Sequence, residues 1–198
     1  MTRLTAAPIA TLATAALLAL SAPLATAAPV TYEIDPTHTF PSFEADHMGM
    51  SHWRGMFTKS AGTVMLDKAG QTGTVDVTVQ TDSIDYGLPV MNDKARSNEI
   101  LDAAKYPQAR FHGTLEGWTD GKPTRVAGEL TLHGVTKPMT LKIERFKCQA
   151  HPMFKRDWCG ADAVGTFRRD DFGMPVGKEW GFEMDVTLRV MLEAVAKE

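Results

Sequence analysis

Thr74-Val75-Asp76-Val77-Thr78-Val79-Gln80-Thr81 and Phe182-Glu183-Met184-Asp185-Val186-Thr187-Leu188-Arg189-Val190 decide the fold class. In both, apolar residues alternate with polar ones. Side chains of a strand point to opposite faces in turn, so each run makes a strand with one greasy face. Met139, Leu141 and Ile143 repeat the pattern between Thr140, Lys142 and Glu144. Further strand-like runs lie at Val30–Ile34, Thr39–His47, His52–Lys59, Gly62–Leu66, Ala109–Leu115, Thr124–Leu132 and Ala161–Arg169.

Turn residues separate these runs. Asp67-Lys68-Ala69-Gly70, Trp118-Thr119-Asp120-Gly121 and His133-Gly134-Val135-Thr136 supply Asp and Gly where the chain must reverse. Short loops imply antiparallel hairpins. The exception is Leu88 to Pro107, where Asn92–Arg96 and Asn98–Ala104 read as one or two short helical turns capped by Asn. About eight antiparallel strands in one small domain tend to curl and close, which removes exposed edges. The expected fold is therefore all-β, a closed antiparallel barrel of about eight strands with those turns near residues 92–104. A sandwich is the competing geometry.

The chain has 198 residues, 21 Lys+Arg, 24 Asp+Glu and a formal charge of −3, with 43% hydrophobic residues. That composition disfavours wholesale disorder. The mild acidity and the lack of a basic run disfavour a nucleic-acid binder. The N-terminus reads as an export signal: Arg3, an apolar stretch from Ala10 to Leu20, then Ala25-Thr26-Ala27 before a cut. Residues 1–27 are thus expected to be cleaved and 28–198 to form one barrel domain in the periplasm. An even pair of cysteines in an oxidising compartment suggests a bridge. Cys148 and Cys159 centre a hairpin between Met153 and Phe154, so they face each other across two strands.

A barrel of this size can just hold one small ligand. Face parity points Phe43, Ala45 and His47 inward, with Trp53 and Phe57, and with Val75, Val77 and Val79. Phe111, Phe182, Met184, Val186 and Leu188 complete the expected apolar wall. Such a wall favours an apolar guest, because each buried methylene gains about 0.8 kcal/mol. A tightly filled core is the competing outcome. Arg54, Lys94 and Arg96 are candidates for a polar head at the mouth, as guanidinium forks and ammonium groups suit a pyrophosphate.

Several motifs then recur in order. Tyr32-Glu33-Ile34-Asp35-x-x-His38-x-x-x-x-Phe43-x-x-x-His47-Met48-Gly49 is followed by Arg54-Gly55-x-Phe57 and Arg96-Ser97. Lys105-Tyr106-Pro107-x-x-x-Phe111 comes next, then Gly128-x-Leu130-Thr131-x-His133-Gly134-Val135-Thr136-Lys137-Pro138 and Asp171-Phe172-Gly173. Together these resemble the YceI-like lipid/polyisoprenoid-binding proteins over nearly all of the mature chain. The resemblance implies an exported, lipocalin-like barrel with a long apolar tunnel for an isoprenoid, quinone-like or other long-chain lipid. It implies no further cofactor. Lys94-Ala95-Arg96-Ser97 departs from the His-Leu-Arg-Ser segment that members often carry, and the two-Cys hairpin looks like a particular subgroup.

Two other classes compete with this reading. His47, Met50, His52 and Met56 bring imidazole and thioether groups that suit cuprous copper in an exported protein. Against it, neighbouring strand residues face apart, and Met commonly fills core gaps. For an enzyme, Gly49-Met50-Ser51-His52-Trp53 begins like a nucleophile elbow but has Trp53 where the final Gly belongs. The expected activity is sequestration without catalysis. The sequence leaves a membrane-protein partner and a homodimer open.

Overall fold

A computed structural model describes residues 28–198; the expected signal peptide lies outside them. The strands are β1 (Val30–Ile34), β2 (Phe40–His47), β3 (Ser51–Phe57), β4 (Ser60–Asp67), β5 (Thr72–Gln80) and β6 (Ile84–Asp85). After helix α1 (Pro89–Arg96) come β7 (Gln108–Glu116), β8 (Arg125–Leu132), β9 (Val135–Ala150), β10 (Asp157–Arg168) and β11 (Asp185–Ala196). All pairings are antiparallel. Eight strands form a ring in the order β1-β4-β5-β7-β8-β9-β10-β11, and β1 returns to β11 through Tyr32↔Ala196 and Ile34↔Ala194. That closure settles barrel against sandwich. β2, β3 and β6 continue outward from β11, carrying the wall beyond the short β1.

Connection lengths and register define two ends. The 68–71, 117–124 and 151–156 loops lie at one, here the disulfide end. The β2–β3 tip, β6, α1, the β8–β9 turn and the β10–β11 connection lie at the other, the helix end. Cys148 and Cys159 are paired in register and bonded, as their spacing requires. The β8–β9 turn is a two-residue loop, His133-Gly134, flanked by the pair Leu132↔Val135. Both turn residues have positive φ, 51° and 76°, which matches the twist of the flanking strands.

Two expectations need correction. α1 begins at Pro89, whose fixed φ suits the first helical position, and has no side-chain cap. Asn92 lies inside it, accepting from the Tyr86 backbone N–H and donating to Asp85; the second stretch, 98–104, forms turns rather than a helix. Phe182 and Met184 precede β11 instead of belonging to it, because the β10–β11 connection runs through 3₁₀ turns at Arg169–Phe172 and Lys178–Trp180. Met184 is nonetheless buried, with Phe172 and Met174.

Candidate functional site

The barrel is hollow. An internal cavity of ≈ 130 Å³ has an almost wholly apolar wall to which all eight ring strands contribute, with Pro41 of β2. Alternation explains it: inward residues of adjacent strands are Val, Leu, Met and Ala, while polar partners face solvent. Along β11 the wall runs through Leu188, Val190, Leu192 and Ala194, a path of roughly 20 Å at the usual rise per residue. The cavity is therefore long and narrow. Its volume is close to that of an apolar cavity that holds a benzene-sized guest, about 150 Å³.

Of the expected wall, Val75, Val77, Val79, Phe111 and Leu188 line this cavity. Val186 is buried nearer the helix end and does not. Phe43, His47, Trp53, Phe57 and Phe182 gather instead in a separate aromatic cluster at that end, and Met184 is buried without joining it. Phe43 packs against Phe57 at 5.8 Å and Tyr86 at 5.3 Å between ring centroids. Trp53 stacks on His47 at 4.7 Å and meets Tyr86 at 6.1 Å. Phe182 meets His47 edge-on at 5.3 Å. Phe43 pairs in register with the wall residue Leu188, so the cluster abuts the cavity. The Phe43 ring also lies against the Gly55 backbone, where an added Cβ would stand 2.7 Å from its Cζ.

Wall residues not selected from the sequence include Leu66, Leu115, Leu130 and Phe146. Met139, Leu141 and Ile143 carried the alternation that could have found them. At the disulfide end Tyr32 closes the wall. Its hydroxyl donates to Asp157 Oδ2 at 2.7 Å, and Lys68 pairs with the same carboxylate. Burial first, then this hydrogen bond to a carboxylate, pushes the Tyr32 phenol well above its usual range.

The three expected head-group cations do not line the cavity. Arg54 points out of the barrel because its parity on β3 is opposite to Trp53 and Phe57; its Nε donates to Glu44 at 2.9 Å, and Arg189 joins the same oxygen at 3.3 Å. Lys94 pairs with Glu99. Arg96 donates to the Asp82 carbonyl at 2.9 Å and to Asp93 at 3.0 Å, while buried Ala95 between them faces the core.

Arg169 was overlooked because the run Arg168-Arg169-Asp170-Asp171 reads as a solvated turn. It is half-buried at the helix end, where burial holds its guanidinium below the usual range and the Tyr86 hydroxyl and Asp170 lie close enough to oppose that. It donates to the Met174 carbonyl at 2.9 Å. Asp170 is engaged by Arg168 at 2.9 Å and Lys178 at 2.7 Å. Burial pushes the neighbouring Tyr86 phenol up to about 12.

The four copper candidates are divided. His47 is stacked among aromatic rings, and Met50 sits at the β2–β3 tip, 84% exposed. His52 and Met56 lie on the outer face of β3, about 13 Å apart by strand rise. Among the described residues, no group of three His, Cys, Asp or Glu is placed to hold an ion.

The model of the YceI-like domain matches residues 32–194. The chain is 35% identical over 146 residues to a UPF0312 protein of Enterobacter sp. (strain 638), covering 72% of this chain and 75% of that one. It is 34% identical over 146 residues, with the same coverage, to protein YceI of Escherichia coli O157:H7. Among solved structures, BcnA of Burkholderia cenocepacia matches with a TM-score of 0.65 and 23% identity, over 81% of this chain and 99% of that one. A polyisoprenoid binding domain from Saccharophagus degradans matches with a TM-score of 0.62 and 18% identity, over 85% and 99%. These two share the fold. The sequence matches go further: this chain belongs to the YceI-like domain family.

Proposed function

We propose that the protein binds and carries a hydrophobic molecule in its barrel, with an isoprenoid or similar lipid tail as the guest. The single observation that carries this reading is the cavity, whose wall is apolar on every ring strand. Hydrocarbon moved there from water gains about 0.8 kcal/mol per methylene, so a tail of several isoprene units offsets the cost of shifting wall side chains. The description of the Saccharophagus degradans neighbour as a polyisoprenoid binding domain supports the same guest. Sequestration makes and breaks no bond. Export through the N-terminal signal would place the carrier in the periplasm, between membranes that a water-insoluble cargo cannot leave unaided.

A charged head lies at the helix end in this reading, beside Arg169. That guanidinium has one carbonyl partner and no carboxylate pair among the described residues, which leaves donors for an anionic oxygen. The test is uptake by refolded, lipid-free protein of geranylgeranyl diphosphate and of geranylgeraniol, followed by native mass spectrometry. Both are expected to bind in one-to-one complexes, with the diphosphate bound more tightly. Arg169→Met should erase that preference and keep alcohol binding. Failure to retain either lipid contradicts the reading.

A further inference from the structure

The helix end carries large apolar side chains that point into solvent. Met48 and Met50 occupy the β2–β3 tip, Leu88 and Val90 the entry to α1, and Trp180 the connection before β11. Met50, Val90 and Trp180 are 84%, 67% and 63% exposed. The three segments are neighbours. Trp53 of the β2–β3 hairpin meets Tyr86 beside α1, and Met56 pairs with Asp85. On the other side His47 meets Phe182, and Asp46 accepts from the Gly49 and Glu183 backbone N–H groups. The exposed residues thus form one rim around the aromatic cluster.

Charge is distributed to match. The chain carries more acid than base, yet His47-Met48-Gly49-Met50-Ser51-His52 and Tyr86-Gly87-Leu88-Pro89-Val90-Met91 contain no Lys, Arg, Asp or Glu. The third segment does carry charge: Lys178 is neutralised by Asp170, while Glu179 and Glu183 are exposed on either side of Trp180. Around the rim, Arg54 and Arg189 share Glu44, and Lys94 pairs with Glu99. At the β2–β3 tip and the entry to α1 no acid is present to be repelled by anionic headgroups or to resist entering an apolar layer. Separate loop tips tipped with Met, Leu, Val and Trp suit a yielding interface better than a rigid protein groove, and Trp favours the boundary between headgroups and acyl chains.

We propose that this rim is a membrane-docking surface, whose tips insert into the headgroup region of a lipid bilayer and hold the helix end of the barrel against it. The purpose of docking, loading or release of cargo, rests on the carrier reading above; the insertion itself does not. Because the β2–β3 tip and the entry to α1 are uncharged, docking depends on apolar burial and persists in salt.

The test is flotation of the mature protein with protein-free vesicles of phosphatidylcholine and phosphatidylglycerol, against the Met50→Asp/Val90→Asp double variant. Both positions are exposed, so the variant should keep its melting temperature and its uptake of geranylgeraniol from solution. Wild type should float with the vesicles at roughly 0.1 M and roughly 1 M salt alike, although the Debye length falls about threefold. The variant should partition ~10-fold less or worse, as expected when apolar anchors become charges. Failure of wild type to float, loss of binding in high salt, or equal partitioning of the variant overturns the proposal. Binding to native membranes but not to protein-free vesicles also overturns it, in favour of a membrane-protein receptor. Flotation without cargo uptake would leave docking standing and remove the carrier reading; uptake without flotation would do the reverse.

Discussion

The rings of Tyr106 and His133 lie 4.4 Å apart between centroids, and His133 Nδ1 donates to the Phe172 carbonyl at 3.0 Å. Three segments far apart in the chain, Lys105-Tyr106-Pro107, His133-Gly134 and Asp171-Phe172-Gly173, therefore meet at the helix end. All three are among the motifs that carry the family resemblance. Phe172 is almost fully buried beneath this contact, so the motif residues brace the helix end of the barrel.

Gly134 shows how tight the brace is. A Cβ there would stand 2.6 Å from Tyr106 Cε1, and φ is 76°, a conformation that disfavours any side chain. Gly134→Ala should destabilise the fold by about 2 kcal/mol. Urea denaturation checks this; an unchanged midpoint would refute the packing argument.

The Cys148–Cys159 bridge ties β9 to β10 with a sequence separation of 11, and Cys159 also lines the cavity. Closing a loop of this size stabilises by about 3 kcal/mol in the chain-entropy model. The Cys148→Ser/Cys159→Ser variant should lose about that much, measured in urea. Wild type denatured without reductant should show no titratable thiol.

Stability should fall at both extremes of pH. The Lys178 ammonium and then the Arg168 guanidinium hold the Asp170 carboxyl down at about 2. Its folded value lies below the unfolded one near 3.9, so its contribution is present above pH 4 and disappears as pH drops towards 2. Asp170→Asn should flatten that acid limb. Burial raises Tyr86 to about 12, above an unfolded value near 10. That contribution is complete below pH 10 and is lost as pH rises through 12, on the order of 2 kcal/mol. Tyr86→Phe should remove it. Denaturation curves at stepped pH distinguish both variants from wild type.

Alternation read well where a strand has one wet face and one buried face. The Val75-Val77-Val79 run and the hairpin centred between Met153 and Phe154 were legible for that reason. β6 escaped because two residues carry no period. Phe182 and Met184 kept the alternation of β11 although their backbone is a loop, since burial at the barrel end also selects apolar residues. Parity could sort inside from outside but not cavity wall from aromatic cluster, because both face inward. Arg169 was illegible because a four-residue run of charges looks solvated until the connection folds it under Tyr86. Arg54 had the reverse problem: a cation near the right hairpin, on the wrong face of it.

The hollow itself is tested most directly by filling it. Ala163 lines the cavity and pairs with Val190 and Ile143, which line it too. A phenyl ring is about the size of guest that the space holds as it stands, and overpacking costs about 1–3 kcal/mol. Geranylgeraniol is to be titrated into folded wild type and Ala163→Phe, with the bound fraction read by native mass spectrometry. The account predicts one-to-one binding by wild type and at least a ~10-fold loss in the filled variant. Equal binding by the two proteins would place the guest elsewhere and contradict the account.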